Sequence, residues 1–534
     1  MSTITLNLRA IRSRAAIYSG ILVAVLLFAV LASGATALAG DSEAGFRPIF
    51  DGKTLTGWDG DPNYWSVEDG AITGRTSAEN PLEHNTFVVW RRGLLDDFEL
   101  KLQYRIVDGN SGIQYRSFPV PEVGKWSIGG YQADFEAGDT YSGILYDERA
   151  RGVLAQRGEK TVIQEDHKPL VIGSVGNSAE LQKHIKSEEW NDYHIIARGY
   201  HFVHKINGHV TAEVYDEDVS TRRRDGLLAF QCHVGPPMIV QFRNIRLKRL
   251  PLQDKKKIVF IAGRPSHGYG SHDHFAGCMI LKNALEKNVP GVHPVVYRSD
   301  HPEDKTAWIL DSTALDNADA VVLYMDGGSG HPLLQHLDEV GALMKRGVGL
   351  VCIHYAVEMP KGPGGKALLD WTGGYFEPGW SVNPHWTMTN ATLAADHPIT
   401  RGVQPFELHD EWYYHMRFPP NMSGVQAILS ALPPKSTLDR PEGPHSNNPH
   451  VRKAIAAGEK QVLAWARERE DGGRGFGCTG AHFHRSWGHD DFRKMFLNAL
   501  VWATGLDVPP DGIASRAPTK AELEANMDYP RPEK

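Results

Sequence analysis

Cysteine is scarce: the 534-residue chain has four, at positions 232, 278, 352 and 478, with no CxxC and no short spacing between them. That excludes a disulfide framework and the common zinc spacings. Charge of one sign is missing too. Lysine and arginine number 57 against 64 acidic residues, a net charge of −7, and the basic residues are scattered, so the electrostatic footprint of a nucleic-acid binder is absent. Beyond the first forty residues no segment is apolar enough to span a bilayer. Histidine, by contrast, is abundant at 25 residues, many of them in the second half close to glycines.

The N-terminus reads as a targeting segment. Arg9, Arg12 and Arg14 form a positive region, residues 21–32 are an unbroken apolar run, and Ala37-Leu38-Ala39 before Gly40 is a small-residue cleavage pattern. The expectation is a signal peptide over residues 1–39 and an exported protein, periplasmic or extracellular. The competing reading is an uncleaved anchor, the one way this chain would touch a membrane.

Residues 44–250 carry short alternating runs separated by turn pairs such as Asp51-Gly52, Asp108-Gly109 and Asn207-Gly208. No helical period of useful length intervenes, so an antiparallel sandwich of two sheets is predicted. Trp58, Trp65, Trp90, Trp126 and Trp190 are candidate core residues, with sugar stacking as the alternative.

Within this half, residues 109–152 hold three polar-faced strand patterns. Alternation sets Gln132, Asp134 and Glu136 against Tyr131, Ala133 and Phe135; Gln114 and Arg116 against Ile113 and Tyr115; and Gln231 and His233 against Phe230, Cys232 and Val234. Two carboxylates, an arginine and an imidazole could therefore share one sheet face. The plain alternative is that these are ordinary solvent-side residues of half-buried strands.

The segments IFDGKTLTGW, GNSGIQYR, GGYQADFE, SGILYDERARG, EWNDYHIIARG and FRNIRLKRL, in that order, resemble the 3-keto-disaccharide hydrolase domain family. The resemblance implies a concanavalin-like jelly-roll sandwich acting on glycosides whose carbon 3 is a ketone.

After a short linker at residues 251–256 the pattern changes. KIVFIAG, VHPVVYR, ADAVVLYM and VGLVCIHYA are buried strands, and FAGCMILKNALEK and LLQHLDEVGALMKRG are helical, so residues 257–506 should form an α/β domain around a parallel sheet. Ligands of such sheets sit beyond the carboxyl ends of the strands, where His267, His272, His274, Asp326, His354 and Tyr355 fall. SHGYGSHDHFAG, LVCIHYA, DHPITRGV, HDEWYY and GRGFGCTGAHFH resemble the ThuA-like trehalose-utilisation family, which is related in fold to class I glutamine amidotransferases (flavodoxin-like). Cys352 lies inside an apolar run without the glycine framing of a nucleophile elbow, so it reads as a core thiol and glutaminase activity is not expected. His267, His272, His354, Asp410, Glu411, His482 and His484 are candidate substrate contacts. Sugar-contacting or acid/base roles are favoured over metal ligation because no HExxH motif is present, and the metal set is left open. Residues 507–534 form a proline-rich, charged tail, disordered or wrapped on the surface.

The keto-sugar resemblance implies a chemistry. A ketone at carbon 3 acidifies the carbon 2 proton, so the glycosidic oxygen can leave by elimination and water can add afterwards. That needs a base, an electrophile for the enolate oxygen and an acid for the leaving group. The assignments are Asp134 or Glu136 as base, Arg116 as enolate stabiliser and His233 as acid, with Gln114 and Gln132 as substrate contacts. No cofactor is certain, and a divalent cation could replace the arginine. The expected partner is an oxidised (3-keto) di- or oligosaccharide. The alternative is a lectin-like carbohydrate-binding module fused to a ThuA-like sugar-processing or non-catalytic domain.

Overall fold

The alternation of FELKLQYRI becomes the strand Phe98–Val107, buried at every second position, and the same rule builds the first half of the chain. The computed structural model describes residues 43–299 and 313–532, so the predicted signal peptide lies outside the described residues. One sheet runs Pro169–Ser174, Glu159–Ile163, His209–Asp216, His201–Ile206, Asn191–Arg198, Phe98–Val107, Ile239–Arg249, Ala71–Arg75 and Trp65–Glu68. The facing sheet runs Gly152–Ala155, Leu145–Glu148, Ile128–Glu136, Asn110–Pro119, Leu227–Cys232, Thr86–Trp90 and Trp58–Asp59. Between them lies the core, with Trp58, Trp65, Trp90, Tyr115, Tyr131, Phe135 and Phe230. The sandwich is therefore as predicted, except that Glu159–Ile163 pairs in parallel with His209–Asp216. Trp126 and Trp190 stay out of the core: Trp126 donates to Asp59 at 2.9 Å, and Trp190 sits under the guanidinium groups of Arg243 and Arg105.

One irregularity changes the site. Tyr115 pairs with Tyr131 but Phe118 pairs with Gly129, so the strand Asn110–Pro119 carries one extra residue. Arg116 sits in this bulge with φ +47°, and a bulge re-aims the side chain it contains.

In the second half, Val292–Arg298, Lys256–Ala262, Ala320–Tyr324, Gly349–Ile353 and Arg474–Cys478 are parallel neighbours in that spatial order. Numbered along the chain this is 2-1-3-4-5, the flavodoxin-like order with its switch point between Lys256–Ala262 and Ala320–Tyr324. Gln461–Glu468, Gln426–Ala431 and Thr392–Leu393 then extend the sheet antiparallel, so it is mixed rather than purely parallel. His274–Asn288 and Asp490–Ala503 pack on one face and Leu337–Lys345 and Pro363–Trp371 on the other, giving two apolar layers. Among the described residues no helix is long and apolar enough to cross a membrane.

The two halves meet at a buried polar cluster. Asp96 of the sandwich takes Lys257 at 2.6 Å, Arg249 at 3.4 Å and the Asn317 amide at 3.0 Å. The tail, expected to be disordered or surface-wrapping, wraps: His484 donates to Leu523 O at 2.7 Å, Arg298 pairs with Asp528 at 2.6 Å, and Tyr529 donates to Pro265 O at 3.3 Å.

Candidate functional site

Four apolar parallel strands end in the segments that build the most convergent site of the chain. Leaving Lys256–Ala262, the loop to helix His274–Asn288 brings in His272; His354 follows Gly349–Ile353 directly; His482 follows Arg474–Cys478; Asp326 follows Ala320–Tyr324. Glu411 closes the short strand Leu408–Glu411, paired with His385–Met388. His272, His354 and Ala481 all adopt positive φ, as does His267 beside them, a costly backbone for non-glycine residues that concentrates at functional sites.

His272 Nε2 lies 3.2 Å from His354 Nε2 and 3.0 Å from His482 Nδ1. Glu411 Oε2 is 3.0 Å from His482 Nδ1 and 3.5 Å from His354 Nε2. Outer groups fix the rings: His272 Nδ1 donates to Asp326 at 2.8 Å and His354 Nδ1 donates to Thr479 O at 2.7 Å. The two Nε2 atoms are thereby turned toward one another. Burial pushes His272 down to about 3 and lowers His482 as well, keeping the imidazoles neutral, the form that ligates metal. Burial also opposes charge on Glu411, but the surrounding His354, His385 and His482 outweigh it and hold the carboxyl far below the usual range. Two ring nitrogens held face to face, with a third nitrogen and a carboxylate oxygen beside them, fit a divalent cation. A cleft of about 410 Å³ opens over Glu411, lined by Asn383, His385, Thr437 and Arg440.

The sandwich offers a different environment. Gln132 and Asp134 point away from the core, yet they are buried, as is Gln114. Gln114 donates to Gln132 at 2.6 Å and Asn110 donates to Asp134 at 2.9 Å. Burial pushes the Asp134 carboxyl up to about 7 against these hydrogen bonds, and Glu136 adds to the rise. Burial likewise raises Glu148, which takes an amide proton of Asn85 at 3.4 Å. Gln231, on the same face, has neither amide atom hydrogen-bonded.

Two family profiles match the chain: the 3-keto-alpha-glucoside-1,2-lyase-like domain over residues 45–248 and the trehalose utilisation family, ThuA, over residues 268–503. The chain is a 3-keto-alpha-glucoside-1,2-lyase-like domain followed by a ThuA domain. In general terms that places it among carbohydrate-active enzymes. Among solved structures, a Parabacteroides distasonis protein provisionally named a glycosyl hydrolase is similar at 19% identity, covering 38% of this chain and 99% of its own (TM-score 0.27). The carbohydrate binding module CBM66 from Bacillus subtilis is similar at 15% identity over 36% of this chain and 96% of its own (TM-score 0.25). A Bacteroides uniformis protein provisionally named ThuA-like matches at 15% identity over 48% of this chain and 93% of its own (TM-score 0.34). No curated protein matches the chain.

In the lyase-like domain the structure separates the four residues expected to share a face. Asp134 is there. Arg116 is not: the bulge turns its guanidinium inward, where it bonds Asp96 O at 2.6 Å, Gly199 O at 2.6 Å and the Asp97 carboxylate at 2.9 Å, fully buried. Glu136 closes its own hairpin, accepting the backbone N–H groups of Thr140 at 2.6 Å and Tyr141 at 2.9 Å. His233 lies just past the end of Leu227–Cys232, with Nδ1 2.5 Å from Val234 O.

In the ThuA domain His272, His354, Glu411 and His482, all expected as substrate contacts, converge into a group that could hold a metal ion. His267 stands outside them, exposed, its ring 3.9 Å from that of His272. Asp410 faces away from the cleft and accepts the N–H groups of Glu411 and His482 at 2.8 and 2.9 Å, setting the angle of both. His484 ties down the tail instead. Burial pushes the Cys352 thiol up to about 12, as suits a core cysteine. Sequence reasoning missed His385, 3.6 Å from Glu411, and Tyr413, whose hydroxyl lies 3.1 Å from His354 Nε2. His385 carried no motif, and the alternation of HWTM, exposed at His385 and buried at Trp386, was its available signal; Tyr413 lies within HDEWYY but was not singled out there.

Gln231 gives a prediction for the lyase-like domain. An unpaired buried amide costs about 1–3 kcal/mol, so Gln231→Leu should raise the midpoint of chemical denaturation. An unchanged or lower midpoint would mean that the amide is satisfied by a bound molecule.

Proposed function

We propose that the chain is an exported enzyme that cleaves 3-keto-glycosides by removing the carbon 2 proton, with Asp134 as the base. The carrying observation is that Asp134 is a buried carboxyl on the outer sheet face, held by Asn110 and poised near neutrality. A base works best with a pKa near the operating pH. The reading is supported by the lyase-like match, because a carbon 3 ketone is what makes a carbon 2 proton removable by a carboxylate. Asn85, Glu148 and His233 are the neighbouring groups available to the leaving oxygen, since the Glu148 carboxyl is raised by burial toward holding a proton. With Arg116 turned inward, the expected enolate stabiliser is gone from this face.

In the ThuA domain, His272, His354, Glu411 and His482 would hold a divalent cation of the kind favoured by imidazole and carboxylate. Such an ion, when bound, supplies a Lewis acid for a carbonyl or hydroxyl oxygen. Asp326, Thr479 and Asp410 orient the ligands, and the Asn383–Arg440 cleft admits a polyhydroxylated molecule to Glu411. The full chain should bind about one Zn²⁺ or Mn²⁺ by metal analysis, and ion at 1,000 times its Kd should stabilise the fold by about 4 kcal/mol. His354→Ala should remove both effects; uptake unchanged in that variant would sink the assignment.

This centre also favours a second reading, in which the sandwich only binds sugar and the ThuA domain does the chemistry. A 3-keto-glucoside deuterated at carbon 2 separates the two. Loss of deuterium coupled to release of the leaving group that stops in Asp134→Asn but continues in His354→Ala supports the first; the reverse pattern supports the second.

A further inference from the structure

We propose that His445, held by Glu358, is the proton-transfer group of a second catalytic site, beside the ThuA cleft, acting on the carbon next to a sugar ketone. This rests on the reading above that the ThuA cleft admits a polyhydroxylated molecule, takes that molecule to be a keto sugar, and extends the reading to a pair of residues that none of the motifs contain.

His445 belongs to the tight turn closed by the Gly443–Ser446 bridge, just before the helix Pro449–Ala456. Its carbonyl accepts the N–H of Asn383 at 3.1 Å, and Asn383 and Arg440, themselves linked at 2.9 Å, line the cleft over Glu411. The ring stacks on Phe376 at 5.4 Å; Phe376 meets Tyr413 at 5.2 Å, and Tyr413 meets His354 at 4.6 Å. A continuous row of rings thus runs from the four-ligand centre to His445.

His445 Nε2 lies 3.0 Å from Glu358 Oε1. Glu358 is 3% exposed, while the imidazole side chain is 36% exposed, so the carboxylate sits behind the ring and the ring faces solvent. No described residue hydrogen-bonds Nδ1. A buried carboxylate that takes the rear N–H of an imidazole orients it and stabilises its protonated form, the arrangement that makes histidine a base. Gly328, at φ +73°, leaves the space beside this pair open, because a Cβ there would stand 3.3 Å from Glu358 Oε1 and 3.4 Å from the Tyr355 hydroxyl.

The step balances without a co-reactant. Neutral His445 takes the proton at Nδ1, the C–H electron pair forms the enol double bond, and the carbonyl oxygen takes the displaced pair. Return of a solvent proton to the same carbon completes an exchange. The groups that set this imidazole are Glu358 first, which raises its pKa by hydrogen bond and charge against burial, then Arg440, which lowers it, and Glu411, which raises it. Glu358 is accordingly a positioning residue.

The test uses the full chain carrying Asp134→Asn, which silences the lyase-like site, with free 3-keto-glucose in D₂O followed by NMR. Exchange at the carbon next to the ketone should exceed buffer and fall about 10²- to 10⁴-fold on adding His445→Ala, with metal content unchanged. Glu358→Gln should move the acid limb of the exchange rate to lower pH, an effect that loss of packing alone would not produce. Exchange no faster than buffer before His445 is changed, exchange that survives His445→Ala, or an unmoved acid limb overturns the proposal. A chain that takes up no cation refutes the metal assignment instead, and is read from metal analysis independently of exchange.

Discussion

Asp134→Asn is expected to lower turnover of a 3-keto-glucoside about 10²- to 10⁴-fold, the range for loss of a positioned base. The wild-type rate should rise with pH through about 7, where the buried carboxyl ionises, and the variant should lose that limb. Stability gives an independent reading. Because the folded pKa is raised above the ordinary value of 3.8, the folded state holds its proton where the unfolded state has released it. Stability from this group is full below pH 3.8 and is lost progressively as pH climbs to about 7. Asn has nothing to ionise, so the variant should gain on wild type between pH 4 and pH 8. Full activity in Asp134→Asn, or carbon 2 deuterium retained through to product, would remove Asp134 from the mechanism.

Alternation made much of the fold legible. Phe98–Val107 and Ile128–Glu136 follow it, and the apolar runs of the second half became the parallel strands. The antiparallel extension was harder to see, because the apolar runs of Gln426–Ala431 and Gln461–Glu468 are short and are separated by the helix Pro449–Ala456. At the site, alternation failed where the backbone departs from it. One inserted residue turned Arg116 into the interior, and a hairpin drew Glu136 onto its own loop N–H groups. Neither event has a sequence signature short of the geometry itself. The convergent group that could hold a metal was hidden for a different reason: His272, His354, Glu411 and His482 come from four separate segments, so ligand spacing along the chain says nothing about their convergence. Reading HExxH as the test for a metal assumes ligands on one helix, whereas here three of the four follow strands of the parallel sheet and Glu411 ends a strand of the separate antiparallel pair. The individual residues were visible because the ends of parallel strands are where such folds place chemistry.

The second large effect is expected far from either site. Asp96 is buried between the two halves with Lys257, Arg249 and Asn317 as its partners, its carboxylate 2.6 Å from the Lys257 ammonium. Burial opposes its charge, but Lys257 and Arg249 outweigh that and hold the carboxyl well below the usual range. Removing one partner strands the others: Asp96→Ala should cost about 3–5 kcal/mol, because two cations remain in a space closed to water. The sequence suggested halves that fold independently at residues 44–250 and 257–506. A shared ion cluster lies beside the linker, and the described residues from Pro48 onward group as one compact unit, so we expect the two to unfold together. Denaturation of the full chain should accordingly show one transition in wild type, shifted to lower denaturant in Asp96→Ala. Replacing the pair together, Asp96→Leu with Lys257→Met, should recover part of the loss, since an apolar pair leaves fewer charges unpaired. If Asp96→Ala unfolds at the wild-type midpoint, or destabilises one half while the other keeps its own transition, the cluster does not join the two halves energetically.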